Sequence, residues 1–255
     1  MLTFRILGAI EINTPTRTVR FKGALQSVLL VTLLVNARRL VLTEALIDEM
    51  WGPQPPHRVE NALQAHMSRL RRRLASLEPD ATKPRLIASS SGYRFLVDDE
   101  ESDAALFIQR LERIRNQAGG SGGPTSGDEL RRILSLWRGP VFGGFVGNRM
   151  CQAAAARYEE SRLAALELLF DHELRYGHHN RIIPELSELL VEHSYKERFR
   201  QQLMIALYRA GRHADALNVY RELWRRLTGE LGLEPSPAMR DYERAVLEQD
   251  PILER

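Results

Sequence analysis

Two copies of one helical turn lie 34 residues apart near the end of the chain. Tyr176-Gly177-His178-His179 can be laid over Ala210-Gly211-Arg212-His213. The apolar positions that follow keep the offset: Ile183 falls over Leu217, Leu186 over Tyr220, Leu189 over Leu223 and Leu190 over Trp224. A period of this length with glycine at the inner turn is built from antiparallel helix pairs. One pair cannot bury its apolar face alone, so successive pairs stack into a curved array. The end of the chain is therefore expected to be all-helical, with Leu203, Leu207, Ala214, Leu217, Tyr220 and Leu223 in its core. Glu234-Pro235-Ser236-Pro237 interrupts the pattern, and a helix to about residue 248 is expected to close it as a solvating cap.

Upstream the helical pattern is more broken. A long helix is expected over 150–176, after a glycine-rich, irregular segment at 141–148. Leu130, Ile133, Leu134 and Trp137 mark a short helix that ends at Arg138-Gly139-Pro140. Residues 119–127 are almost all Gly and Ser and read as a flexible loop. No strand precedes that loop and no Gly-Lys-Ser/Thr follows, so it is not a phosphate loop. A helix to about residue 117 carries Leu106, Phe107, Leu111 and Ile114 inward. The acidic run Asp98-Asp99-Glu100-Glu101-Ser102-Asp103 reads as a solvated linker, with Ser102 or Asp103 capping the helix that follows.

The first third has a different chemistry. Residues 1–96 hold 14 Lys/Arg against 7 Asp/Glu, and the remainder 22 against 26, so a net charge of +3 conceals a basic N-terminal part on an acidic body. That asymmetry points the first third toward a polyanion. Residues 4–12 alternate and carry β-branched and aromatic side chains, giving one or two short strands, and Thr18-Val19-Arg20-Phe21 gives another. From Ala24 to near Asn36 the pattern is helical, with Leu25, Val28, Leu29, Leu33 and Leu34 on a wide apolar face. Thr43 fits an N-cap for a second helix through Trp51, which Gly52-Pro53-Gln54-Pro55-Pro56 stops.

A third helix follows over 59–77. Leu63, Met67, Leu70 and Leu74 fall on one stripe at helical spacing. Asn61, Ala65, Ser68 and Arg72 point the other way, with Gln64 and Arg71 on one shoulder and Arg69 on the other. Cations suit phosphates, amides and guanidinium groups suit base edges, and small residues permit close approach. A basic helix face is commonly only solvated, so the neighbours decide. Here Leu86-Ile87-Ala88-Ser89 and Gly92-Tyr93-Arg94-Phe95 flank a small-residue turn, a hairpin signal. Helix-turn-helix followed by hairpin is a winged helix, whose third helix enters the major groove.

At these residues the chain resembles a known family. Phe4-Arg5-Ile6-Leu7-Gly8, the segment from Leu46 to Pro56, the helix with Ser68-Arg69-Leu70-Arg71-Arg72, and Gly92-Tyr93-Arg94-Phe95 are similar to the OmpR-type winged helix of the SARP (Streptomyces antibiotic regulatory protein) family. Leu136-Trp137-Arg138-Gly139-Pro140, the stretch from Tyr158 to Glu167, that from Gln202 to Arg212, and Glu230-Leu231-Gly232-Leu233-Glu234-Pro235-Ser236-Pro237 resemble the bacterial transcriptional activator domain that follows it. Larger relatives append an ATPase or sensor domain; a chain of 255 residues resembles the small stand-alone members. The family's wing often carries a basic residue before Gly-Tyr, where this chain has Ser89-Ser90-Ser91.

Other chemistries lack support. Cys151 is the single cysteine, which excludes a disulfide framework and a cysteine-based zinc site and reads as a small buried hydrophobe. His172, His178, His179, His193 and His213 have no metal-binding spacing and read as solvent-facing. There is no catalytic triad, nucleophile elbow or dinucleotide fingerprint, so no enzyme and no cofactor are expected. No run approaches the roughly 18 apolar residues of a membrane span, and the N-terminus lacks a signal-peptide layout, so a cytoplasmic, nucleoid-associated protein is expected.

The expected fold is mainly α: an N-terminal winged helix-turn-helix with a small β-sheet and wing hairpin over 1–97, then an all-α tetratricopeptide-like repeat domain over 98–255. Asn61, Gln64, Ala65 and Ser68 are expected nearest the bases; Arg58, Arg69, Arg71 and Arg72 at phosphates; His66 on the flank; Thr43 at the backbone. Arg85, Ser91, Tyr93 and Arg94 are expected to serve the wing. The resemblance implies a homodimer on direct repeats of double-stranded promoter DNA near −35, recruiting RNA polymerase holoenzyme through its sigma factor and other subunits. It implies an activator of an antibiotic or secondary-metabolite gene cluster. The alternative is a ligand- or peptide-responsive repressor or sensor that uses the repeat domain.

Overall fold

The computed structural model describes residues 2–21, 23–79, 81, 84–118 and 127–254. The loop expected over 119–127 therefore lies, apart from Gly127, outside the described residues. By packing, the chain forms two compact units: the described residues within 1–123 and 132–163 make the first, and those within 124–131 and 164–255 the second.

In the first unit, β1 (Thr3–Arg5), β2 (Glu11–Asn13) and β3 (Thr18–Arg20) form an antiparallel sheet in that order. Phe4 pairs with Ile12 and Ile12 with Val19, which places Phe4 and Ile12 in the core. α1 (Ala24–Val35) is buried on every side from Ser27 to Leu34, so the expected single apolar face understates it. β4 (Leu40–Leu42), which sequence periodicity does not reveal, leads into α2 (Thr43–Trp51) and α3 (Val59–Leu77). β5 (Leu86–Ser89) and β6 (Gly92–Phe95) form the hairpin, and β6 also pairs with β4, giving the order β4-β6-β5. Gly92 is obligatory here. A Cβ at that position would lie 2.1 Å from the Val41 carbonyl oxygen.

The acidic run is not a solvated linker at its far end. Asp98 and Glu101 form a capping box around a short 3-10 turn, and Glu101, Ser102 and Asp103 are buried. The Asp103 carboxylate accepts from the amides of Ile6 (2.8 Å) and Leu7 (3.2 Å) and pairs with Arg138 at 3.3 Å. Burial raises its pKa even against those bonds. These charges are buried because distant backbone donors and cations satisfy them. Asp103 opens α4 (Asp103–Ala118), on which Phe107, Leu111 and Ile114 are buried. α5 (Gly127–Leu134) and an irregular turn, Val141–Gly144, precede the long helix α6 (Arg149–Arg175).

The start of α6 is closed by a buried side chain from α2. Glu49, 2% exposed, accepts from the amides of Met150 (2.8 Å) and Cys151 (2.9 Å). Asn148 Nδ2 donates to the carbonyls of Asp48 (3.1 Å) and Glu49 (2.9 Å). First-turn amides of a helix lack internal partners, so a buried carboxylate there satisfies both charge and hydrogen bonding. Cys151 is buried as expected, and burial, with Glu49 beside it, pushes its thiol up to about 12.

In the second unit, α7 (His179–Glu192), α8 (Glu197–Arg209) and α9 (His213–Arg226) pack in succession, followed by α10 (Pro237–Glu248). The two turns of the sequence repeat have one geometry. Gly177 has φ 77° and Gly211 φ 74°. The amide of His178 donates to Glu173 and that of Arg212 to Leu207, at 2.8 and 2.9 Å. This is the left-handed helix ending that glycine adopts without steric cost. The core register differs by a residue or two from expectation. Ala216, not Ala214, is buried; Leu217 is half-buried; Ile182, Leu186 and Leu190 line α7. α10 begins at an N-cap, Ser236, whose hydroxyl accepts from the Met239 amide, with Pro237 at the first helical position.

Candidate nucleic-acid interface

α3 separates its side chains as its sequence periodicity requires. Leu63, Met67, Leu70, Leu74 and Leu77 are buried, while Asn61, Gln64, Ala65, Ser68, Arg69, Arg71 and Arg72 are exposed. Arg58, at the N-cap position, is also exposed. Two other arginines fix the helix in place. Arg73 stacks over the Phe21 ring at 4.0 Å and donates to the Arg20 carbonyl at 2.9 Å, and Arg17 donates to the Ser76 carbonyl at 2.8 Å. The arginines that hold α3 are thus distinct from those it presents.

His66 belongs to the supporting set. Its Nδ1 lies 2.8 Å from Gln26 Nε2, and its ring meets Trp51 edge-on at 6.0 Å. Burial, and then Arg69, lowers its pKa, which favours a neutral ring over a phosphate-binding cation. Thr43 is the first residue of α2, not its cap. Leu42 occupies the N-cap position and no side chain caps the helix. The Thr43 amide instead donates to the Ser91 carbonyl at the hairpin tip, 3.0 Å away.

At the wing, Ser91 and Arg94 are exposed and Tyr93 is half-buried. Arg94 stands between Leu40 and Ile87 in the cross-strand register. Arg85 does not serve the wing. Its guanidinium donates to Glu101 at 2.7 and 2.8 Å and to both oxygens of Glu78. Those two carboxylates raise its pKa further. A guanidinium already satisfied by two carboxylates has no fork left for a phosphate. A cleft of about 540 Å³ lies between α3 and the hairpin, lined among others by Thr43, Gln64, Ser90 and Tyr93. It also contains Glu44 and Glu60, whose carboxylates disfavour an anion in the cleft itself. Sequence reading missed Glu44, because nothing local places it beside the wing.

A winged helix joined to helical repeats is the architecture of a DNA-binding transcriptional regulator. Residues 23–95 match the family described as "Transcriptional regulatory protein, C terminal", and residues 102–247 match the "Bacterial transcriptional activator domain". Transcriptional regulator RedD of Streptomyces coelicolor is 36% identical over 250 residues, covering 97% of this chain and 71% of RedD. Regulatory protein DnrI of Streptomyces peucetius is 33% identical over 227 residues, covering 88% of this chain and 84% of DnrI. Regulatory protein AfsR of Streptomyces coelicolor is 34% identical over 253 residues, and the chain spans 25% of that longer protein. The solved structure of Mycobacterium tuberculosis EmbR in complex with a low-affinity phosphopeptide superposes with a TM-score of 0.87 at 28% identity, over 98% of this chain and 66% of that one. The chain belongs to the SARP family of transcriptional regulators. The family is one of regulators, not of enzymes. Among the described residues, no helix is long and apolar enough to cross a membrane.

Proposed function

We propose that the chain is a sequence-specific DNA-binding transcriptional activator of a secondary-metabolite gene cluster, acting in the cytoplasm on the nucleoid. Residues 1–97 read the promoter, and residues 98–255 support a homodimer on DNA and meet RNA polymerase and its sigma factor. The observation that carries this reading is the face of α3. Seven polar, small or basic side chains from Asn61 to Arg72 are exposed directly opposite a buried leucine and methionine stripe. Asn61, Gln64, Ala65 and Ser68 read base edges. Arg58, Arg69, Arg71 and Arg72 hold phosphates and set the register. Arg94, Ser91 and the hairpin backbone contact the strand beside the groove. His66 and Tyr93 support these contacts from behind, while Arg85 is engaged by Glu78 and Glu101 instead.

Footprinting and in vitro transcription test the proposal together. The full chain is expected to protect two similar half-sites in direct orientation near −35 and to raise transcript yield with purified polymerase. Arg69→Ala with Arg72→Ala is expected to weaken binding and to lower the salt slope by about two. Normal promoter binding by that double variant would overturn the assignment of α3. Protection of a single half-site by a strict monomer would overturn the dimer, and repression of the transcript would overturn activation.

A further inference from the structure

The two copies of the repeat treat one position differently. Leu190 on α7 and Trp224 on α9 are equivalent, 34 residues apart, as are Leu186 and Tyr220 one turn earlier. Leu186, Tyr220 and Leu190 are buried, Leu190 at 9% exposure, whereas Trp224 is 48% exposed. In a helical array each apolar position is covered by the helices stacked next to it. At the second copy that cover is incomplete, and a tryptophan stands at the gap. α10 packs on α9 without closing it. Tyr220, Arg221, Trp224 and Arg225 from α9 and Glu243 from α10 line a groove of about 460 Å³, wholly within the second unit.

The charges around the groove are uneven as well. The other arginines on or beside α9 and α10 are paired: Arg212 with Asp215, Arg226 with Glu222, Arg240 with Glu234 and Arg244 with Asp241. Arg221 and Arg225, which flank Trp224, are exposed and have no ion-pair partner among the described residues. Arg221 makes only a 3.5 Å contact with Asn218 Oδ1. The single carboxylate lining the groove, Glu243, lies beside the Tyr220 hydroxyl: burial first, and this carboxylate second, raise the tyrosine pKa. Trp, Tyr and Arg are the side chains that carry most of the energy at protein interfaces. A nucleic acid would need more cations than these two, on a part of the chain, residues 97–255, that holds 22 Lys/Arg against 26 Asp/Glu. A second copy docked about a two-fold axis here would set Arg221 and Arg225 against themselves.

We infer that this groove docks a segment of a partner protein in which one aromatic or long aliphatic side chain is flanked by carboxylates. The apolar side chain enters against Trp224 and Tyr220 and supplies the cover that Leu190 already has in the first copy. The carboxylates accept from Arg221 and Arg225, whose guanidinium groups suit two-point recognition of a carboxylate. Apolar anchor and charge are both needed: the indole gives affinity by losing water, and the arginines select against neutral and basic segments. The inference does not rest on DNA recognition, because the groove and α3 share no residue.

The test uses the full chain without DNA. The Trp224 indole N–H resonance, assigned by its loss in Trp224→Phe, is followed by NMR during titration with a synthetic peptide carrying one phenylalanine between pairs of glutamates. A saturable shift is expected. The same peptide with alanine for phenylalanine, the same peptide with lysines for glutamates, and a thymidine oligonucleotide of equal charge are each expected to bind about tenfold more weakly or less. Arg221→Glu with Arg225→Glu, both at exposed helix positions, is expected to retain the far-ultraviolet spectrum, weaken the acidic peptide about tenfold and tighten the lysine peptide. A merely structural role for the two arginines would not reverse the preference. No saturable shift at millimolar acidic peptide, equal binding by the alanine peptide, or an unchanged preference in the double variant would overturn the inference. Tighter binding by the oligonucleotide would overturn it in favour of a nucleic acid, and a shift that follows protein concentration alone in favour of a second copy.

Discussion

On α3, exposure alternates with burial at intervals of one helical turn, and the consequences of substitution follow. Leu70 is fully buried, so Leu70→Ala leaves a cavity and is expected to cost about 2–5 kcal/mol in denaturant unfolding. Arg72 is exposed, so Arg72→Ala is expected to leave the melting temperature unchanged while lowering the salt slope of DNA binding by about one. Arg85 has the same charge as Arg72 and the opposite role. It lies between two carboxylates with its side chain 16% exposed, and removing it strands Glu101, which is 7% exposed. Arg85→Ala is expected to cost about 3 kcal/mol. Burial pushes the Glu101 pKa up, but the Arg85 hydrogen bonds and the Asp98 amide more than offset this and hold it below its ordinary 4.5. A depressed carboxylate contributes fully above its unfolded pKa, and the contribution disappears as pH falls through the lower folded value. Acid titration of stability is therefore expected to steepen below pH 4.5, and Glu101→Gln is expected to flatten that part of the curve.

At the scale of elements, the sequence was most legible where one face of a regular element meets the core. The stripe of α3, the end of α1 at Asn36 and the paired turns at Gly177 and Gly211 all follow from local periodicity and glycine chemistry. What was illegible depends on partners far along the chain. β4 is three residues long and exists because β6 pairs with it. Asp103 looked like part of a charged linker because its donors, Ile6 and Leu7, lie 97 and 96 residues away. Arg85 reads as a wing residue because its partner Glu101 lies 16 residues further along the chain. Glu49 is a further case, an acid on α2 whose hydrogen-bond partners belong to α6. Glu49→Ala leaves two first-turn amides without acceptors and is expected to destabilise the chain by about 1–3 kcal/mol, measured by urea unfolding. A variant as stable as the parent would show that water replaces the carboxylate at no cost.

For the molecule as a whole, packing does not follow the order of the chain. The first compact unit takes in residues well beyond the wing, through 163. A fragment ending at residue 97 lacks the acceptor for the Ile6 and Leu7 amides, the amides that satisfy Glu49, and the Glu101 side chain that pairs with Arg85. It is expected to unfold at a lower temperature, and less cooperatively, than the first transition of the full chain; equal stability by calorimetry would contradict this. One bond within that unit bears on how fast the protein finds its site. The Thr43 amide holds the hairpin tip at Ser91, so the wing is fastened to the start of α2 before any DNA is present. Its conformational entropy is lost on folding and is not lost again at the operator. With α3 as the proposed DNA-binding face, encounter is governed by orientation and by its cationic side chains, so raising salt is expected to slow association far more than it speeds release.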